Sequence, residues 1–394
     1  MANNQNFLEG VKIFGKKGFW DINIEGSKFF SIKNSLKSGG GLITPRFADI
    51  HVHLDKTGTS KRLKRRATSL FDAIELMNDD KKKWTENDVY FRANQAIKNS
   101  FNCGTKFIRT HVDWETKKVP LAWEVLKNIK SEFKDSLDIQ IASLCPLDLL
   151  YEEGNQIAKV IKNDNAILGS FVYCNENLKE KIKFVFELAI KYDLNLDFHV
   201  DEGLEEEATG IDYIVHSSKK LGLQKKVLCG HGCSLSIRNN KVVLDILRKM
   251  SDAQVGLTCL PTTNFWLQDN VEERTPRLRG IAPIKEARNA GVSIMIASDN
   301  CKDAFYPFGN YNVLSVYKIA VLAGHLDENK WFDSITSIPS KWMGYDNEIK
   351  KDSEASFLKF SEDSICDILE NSNLKYQVWQ KGKVAYSSNL NSKN

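Results

Sequence analysis

His51 and His53 stand one residue apart in the run ADIHVHLD at 48–55, which follows three glycines and a proline. Alternate side chains of a strand share a face, so both imidazoles would project the same way. Side by side they could hold one metal ion, or form an ordinary hydrogen-bonded pair. Further polar groups recur at the ends of later apolar segments. These are His199 with Asp201 and Glu202, His231 within CGHG at 229–232, and Asp299 with Asn300 within ASDN at 297–300. Four of the chain's seven histidines fall at such ends, a joint pattern that points to a metal site. Three neutral imidazoles and one carboxylate hold a divalent cation and leave a position for water, whose pKa then falls to about 7. Glu202, three residues past His199, is placed to shuttle protons. His231 is placed to orient the hydroxide or stabilise an oxyanion, and Asp299 to bind metal and accept the water proton. His111 ends another segment and is assigned a supporting role, while His216 and His325 fall in helical contexts without a function.

These residues need a scaffold that gathers strand ends. Apolar segments at 48–53, 106–112, 138–144, 167–173, 195–200, 226–230, 254–259 and 292–297 alternate with amphipathic helical segments such as 179–192 and 284–289. Eight such alternations fit an α/β fold, a (β/α)8 TIM barrel, with chemistry at the C-terminal strand ends. Alternating strand patterns at 7–14 and 20–32, and again at 356–360, 376–379 and 383–386, predict a small β-sandwich-like subdomain made by both termini. The expected division is 1–46 plus 350–394 for that subdomain and 47–349 for the barrel.

A net charge of +4, from 55 basic and 51 acidic residues, gives no general reason to expect nucleic acid or membrane as a partner. The basic run KRLKRR at 61–66 could form an anion or nucleic-acid patch, but it lacks aromatic interleaving and reads first as a solvated loop or helix start; an edge of the active-site mouth is a further alternative. The eight cysteines show no CxxC pairs, and Cys229, Cys233, Cys259 and Cys301 read as small core residues. No leader or membrane-length apolar run is apparent, so a cytoplasmic location is expected.

Taken together the motifs resemble the amidohydrolase superfamily, and within it the cytosine deaminase branch. They are HVHLD at 51–55, RTHVD at 109–113, HVDE at 199–202, RLRG at 277–280, SDN at 298–300 and YPFG at 306–309. The resemblance covers nearly the whole chain. It implies metal ligation by His51, His53, His199 and Asp299, with one divalent ion, zinc or iron(II). The region VYCNE at 172–176 offers no bridging lysine and resembles the mononuclear members. Glu202 matches the acid/base that protonates the ring nitrogen and then the leaving amine, and His231 the residue that positions the attacking hydroxide.

Three positions depart from the branch's substrate pattern. Leu147 stands where a glutamine reads the pyrimidine edge, Asn300 replaces a second aspartate beside Asp299, and Phe305 replaces a tryptophan. Leu147 could not hydrogen-bond a ring edge, and Phe305 could still stack on one. The resemblance therefore implies a hydrolytic deaminase of a cytosine-like cyclic amidine that releases ammonia. Alternatives are the same machinery on a substituted pyrimidine, triazine, pterin or creatinine-like ring, and a catalytically inactive scaffold. The expected partner is a small nitrogen heterocycle, with assembly into a homo-oligomer as a family expectation.

Overall fold

Polar strand ends meet only if the strands are parallel and close on themselves, and the chain does this. In a computed structural model, residues 5–223, 226–278 and 280–388 are described. The first four strands are β1 (Gln5–Ile13), β2 (Trp20–Glu25), β3 (Lys28–Asn34) and β4 (Leu42–Pro45). The barrel strands are β5 (Phe47–Val52), β6 (Thr105–Asp113), β7 (Asp138–Pro146), β8 (Leu168–Val172), β9 (Leu196–Val200), β10 (Val227–His231), β11 (Gly256–Cys259) and β12 (Ile294–Ile296). They pair in sequence order in one eight-stranded parallel sheet among the described residues. A bridge between Val52 and Asp299 joins its two ends, so the sheet is a closed (β/α)8 barrel.

The helices between these strands are α1 (Leu70–Lys81), α2 (Glu86–Asn102), α3 (Leu121–Glu132), α4 (Leu147–Asn163), α5 (Leu178–Tyr192), α6 (Gly210–Leu221), α7 (Asn240–Asp252), α8 (Pro261–Leu267) and α9 (Ile284–Asn289). After β12 come α10 (Val313–Gly324) and α11 (Ser337–Trp342). Their apolar stripes explain the placement. On α4, for example, Leu150, Ile157, Ala158 and Ile161 recur at helical spacing and are fully buried against the sheet. Ser69 caps α1 and Thr85 caps α2, each accepting a hydrogen bond from a backbone N–H three residues on.

The terminal strands are completed by β13 (Phe357–Phe360), β14 (Tyr376–Gln380) and β15 (Lys383–Ser387), with α12 (Ile365–Glu370) between the first two. They form one mixed seven-stranded sheet in the order β15-β14-β13-β4-β1-β2-β3. The sandwich-like character expected from the alternation thus takes the form of a continuous sheet, because β1 pairs with both β2 and β4. It has its own small core, including Val11, Ile22, Phe29, Ile43 and Phe357. Arg46, fully buried between β4 and β5, donates to the carbonyls of Gly104, Thr105 and Trp379 and so ties the sheet to the barrel. Among the described residues no helix is long and apolar enough to cross a membrane. Residues 1–4 and 389–394 of the expected subdomain, and Arg279 of the RLRG motif, lie outside the described residues.

Candidate metal centre and its cavity

The first barrel strand loses register with β6 between Asp49 and Val52. Such an irregularity re-aims side chains, and here it falls at His51. The rings of His51 and His53 lie 5.5 Å apart. His199, at the end of β9 on the opposite side of the barrel, reaches across to both. Its Nε2 is 2.9 Å from His51 Nε2 and 3.1 Å from His53 Nε2. Asp299, just past β12, brings Oδ1 to 3.2 Å from His53 Nε2 and 3.6 Å from His51 Nε2. Its backbone N–H donates to the His51 carbonyl at 2.9 Å, which fixes the two strand ends together. Asp299 and His231 sit at φ of 58° and 70°, left-handed conformations that turn the chain sharply off the strand.

These donors fit a divalent cation on their own chemistry. One ring N–H on His199 cannot serve two facing imidazole nitrogens, and both buried oxygens of Asp299 lack a hydrogen bond. Four ligands at about 2.1 Å in a tetrahedron stand roughly 3.4 Å apart, within the spread of these separations. Burial drives the imidazoles of His51 and His199 well below their ordinary pKa, toward the neutral form that ligates. Gly230 on β10 leaves room for this, because a Cβ there would come within 2.8 Å of His51 Cε1. His111 packs 4.2 Å from the His51 ring, with Nε2 3.3 Å from Asp197, and Arg109 holds Asp197 at 2.7 Å. The second strand end thus backs the first, as a supporting residue would.

Two further groups face the same cavity. Glu202 is buried, and that burial, followed by the nearby Asp299, pushes its carboxyl well above the ordinary range. Its Oε1 lies 3.5 Å from His231 Nδ1. The Asn264 amide nitrogen donates to the same His231 nitrogen at 3.1 Å, leaving Nε2 as the ring's proton-bearing atom. That Nε2 is buried without a partner. Burial lowers His231 to about 4, so the ring is neutral at ordinary pH.

The cavity holds about 630 Å3 of empty space, partly open to solvent. Its floor is His53, His199, Glu202, His231 and Asn300; Phe305 and Phe171 form walls. Helix α1 closes it from outside with Leu70, Ile74 and Met77. Asn300 and Phe305 therefore line the cavity. Leu147 does not. It begins α4, is fully buried in the hydrophobic core, and leaves Leu144 and Pro146 to line the cavity. The turn into α4 rotates Leu147 away, so its polarity has no bearing on a ring edge.

Sequence reasoning missed Lys56, Asp113 and Lys81, which also line the cavity. The motifs HVHLD and RTHVD end at their aspartates, and a lysine one residue past the first reads as an ordinary solvated charge. It also missed Asn264 and Asp303. None of residues 61–66 of the KRLKRR run is among the side chains that line the cavity. Arg62 binds Asp80 and Asp88, Arg65 pairs with Asp72, and Arg66 stacks on Trp266 and Phe308. Its three arginines thus seat α1 and the start of α2. Cys229, Cys233, Cys259 and Cys301 are buried and free.

The fold and this donor set define a (β/α)8 barrel with a site for one divalent cation at its C-terminal mouth. The chain belongs to the amidohydrolase family, whose profile matches residues 151–386. Among characterised relatives it is 28% identical over 351 residues to a pterin deaminase of Rhizobium rhizogenes, spanning 87% of this chain and 80% of that one. Two solved structures show the same fold. A 5-methylcytosine deaminase from Klebsiella pneumoniae superposes with a TM-score of 0.87 at 20% identity, over 96% of this chain and 97% of that one. The N-isopropylammelide isopropylaminohydrolase of Burkholderia multivorans gives 0.81 at 19%, over 97% and 98%.

Proposed function

We propose that the protein hydrolytically deaminates a planar amino-substituted nitrogen heterocycle, and that a fused two-ring pteridine is its substrate class. The observation that carries the reaction is Glu202, a buried protonatable carboxyl on the floor beside His231 and the His/Asp donor set. A divalent cation held by His51, His53, His199 and Asp299, zinc or iron(II), would lower the pKa of a water toward about 7. Asp299, whose two buried oxygens have no hydrogen-bond partner, would accept a proton from that water, and the unpartnered His231 Nε2 would donate to its oxygen. Glu202, protonated, donates to the ring nitrogen as the C–O bond forms. The same carboxyl then carries the water's remaining proton to the exocyclic amine, whose C–N bond breaks, and the proton held by Asp299 passes to Glu202, so both carboxyls end as they began. Water and amidine are consumed; ammonia and a lactam carbonyl are formed. Phe305 stacks on the ring and Asn300 meets its edge.

The cavity's lining supports the larger ring. Past Phe305 it continues between α1 and the end of β6 to Asn78, Lys81 and Glu115, space that a single pyrimidine leaves empty. The similarity to a pterin deaminase supports the same size. A single-ring, cytosine-like amidine is the second reading, favoured by Phe305 as a stacking face beside the floor. The test is ammonia release by metal-loaded enzyme given pterin, cytosine, creatinine and an aminotriazine. Turnover of pterin above cytosine is the expected result. Faster turnover of cytosine selects the second reading, and no ammonia from any ring at full metal content rejects the deaminase.

A further inference from the structure

Lys56 is an unusual residue to find on a cavity wall, since an ammonium is rarely buried without a reason. It is only 2% exposed, and its Nζ lies 2.6 Å from Asp113 Oδ1 and 5.0 Å above the centre of the Phe305 ring. That is one hydrogen bond for three N–H donors, with no other partner shown among the described residues. Its setting is built on both sides. The backbone N–H of Lys56 donates to Asp55 at 2.8 Å, and Asp55 also accepts from the Asp113 N–H at 3.1 Å. Arg92 donates to the carbonyls of Asp55 and Thr57, which pins the turn that carries Lys56. The second oxygen of Asp113 takes Lys81 at 2.7 Å. A tie between the ends of β5 and β6 alone would not require the ammonium to face the ring-stacking phenylalanine.

Burial alone would lower the Lys56 pKa, but Asp113 and Asp55 outweigh it and keep the group charged. It is therefore a donor only. Asn300 supplies the opposite polarity. Its amide nitrogen is committed to Asp303 at 2.7 Å, while Asp303 is itself fixed by the N–H groups of Phe305 and Tyr306. The Asn300 oxygen remains as the acceptor.

We propose that Lys56 is a specificity residue that binds an exocyclic carbonyl oxygen of the ring, so that the cavity selects amino-oxo heterocycles over their diamino counterparts. A carbonyl oxygen accepts from the ammonium, whereas an amino group presents N–H to N–H and leaves a buried donor unpaired. Asp113 and Lys81 act as positioning residues. The inference deepens the deaminase reading and rests on its placing the ring between Phe305 and the floor.

Equilibrium binding separates the two ideas. Fluorescence titration of the metal-loaded enzyme with lumazine, the dioxo product ring, and with diaminopteridine needs no turnover. Wild type is expected to bind lumazine at least tenfold tighter. Lys56→Met should weaken lumazine about ten- to a hundredfold with little effect on diaminopteridine, whereas Lys56→Arg should keep the preference. A merely structural Lys56 would move both ligands together. Equal binding of both by wild type, no lumazine binding, or an unchanged preference in Lys56→Met overturns the proposal. The wild-type comparison decides even if Lys56→Met fails to fold. Lys56-dependent binding without ammonia release would sink the deaminase and leave Lys56 as the reader of the oxo group.

Discussion

The floor of the cavity takes its residues from the ends of β5, β9, β10 and β12, whereas its outer wall comes from α1 and from side chains just past two strand ends. The floor groups hang from a parallel ladder whose members are fully buried, so they have little freedom to shift. The wall rests on one helix seated by surface ion pairs and by a cluster of Ala67, Leu70, Met77 and Phe305. Exposed pairs of that kind contribute little each. On the proposed reading, chemistry sits on the strand-borne part and ring selection on the helix-borne part. Substitutions on the floor should abolish the reaction, and those on the wall should change which ring reacts or how fast it leaves.

The sharpest way to break this division is at Asp299. Asp299→Ala should remove the metal, taking bound metal from near one per chain to near zero and turnover to background, as should His199→Ala. Metal analysis alongside ammonia release checks both. Full metal in Asp299→Ala would remove the centre described above. Glu202→Gln comes next. It should keep its metal and lose about 10²- to 10⁴-fold in kcat, because an amide of the same shape cannot carry the proton. A near-normal rate would move general acid–base work elsewhere on the floor.

The same division governs how much the sequence discloses. His51, His199 and His231 lie within their strands and His53 one residue past β5, so strand periodicity says where these side chains go, while Asp299 is legible from the polar group that follows the last apolar segment. The barrel follows from eight repeats of that pattern. Lys56 lies past β5, where no periodicity applies, and Asp113 is the last residue of β6, where an exposed charge would be unremarkable. On α1, Leu70, Ile74 and Met77 make an ordinary amphipathic stripe. Nothing in its spacing tells whether the stripe meets packed core or a cavity. Leu147 fails for a related reason: a one-residue turn decides between wall and core, and Pro146 sets it.

Leu147 gives a smaller, opposite-sided test. Leu147→Gln should bury an amide and leave space in a packed core, costing about 2–5 kcal/mol of stability. Urea unfolding of the metal-loaded protein measures this. No gain on cytosine is expected, since the side chain does not reach the cavity. An appreciable gain would put position 147 back on the wall and shift the boundary between the two regions.

The smallest effect belongs to the seat of α1. Arg66 lies 5.5 Å from the Trp266 ring and 5.4 Å from that of Phe308, joining the segment before α1 to α8 and to the loop after β12. An exposed contact of this type is worth on the order of a few-fold in an equilibrium. Arg66→Ala should therefore loosen the wall without touching the floor. KM for a two-ring substrate should rise about two- to fivefold, with metal content and the kcat loss caused by Glu202→Gln unchanged. If kcat instead fell as far as it does in the floor variants, α1 would be part of the chemical apparatus. The wall and floor would then have to be treated as one unit.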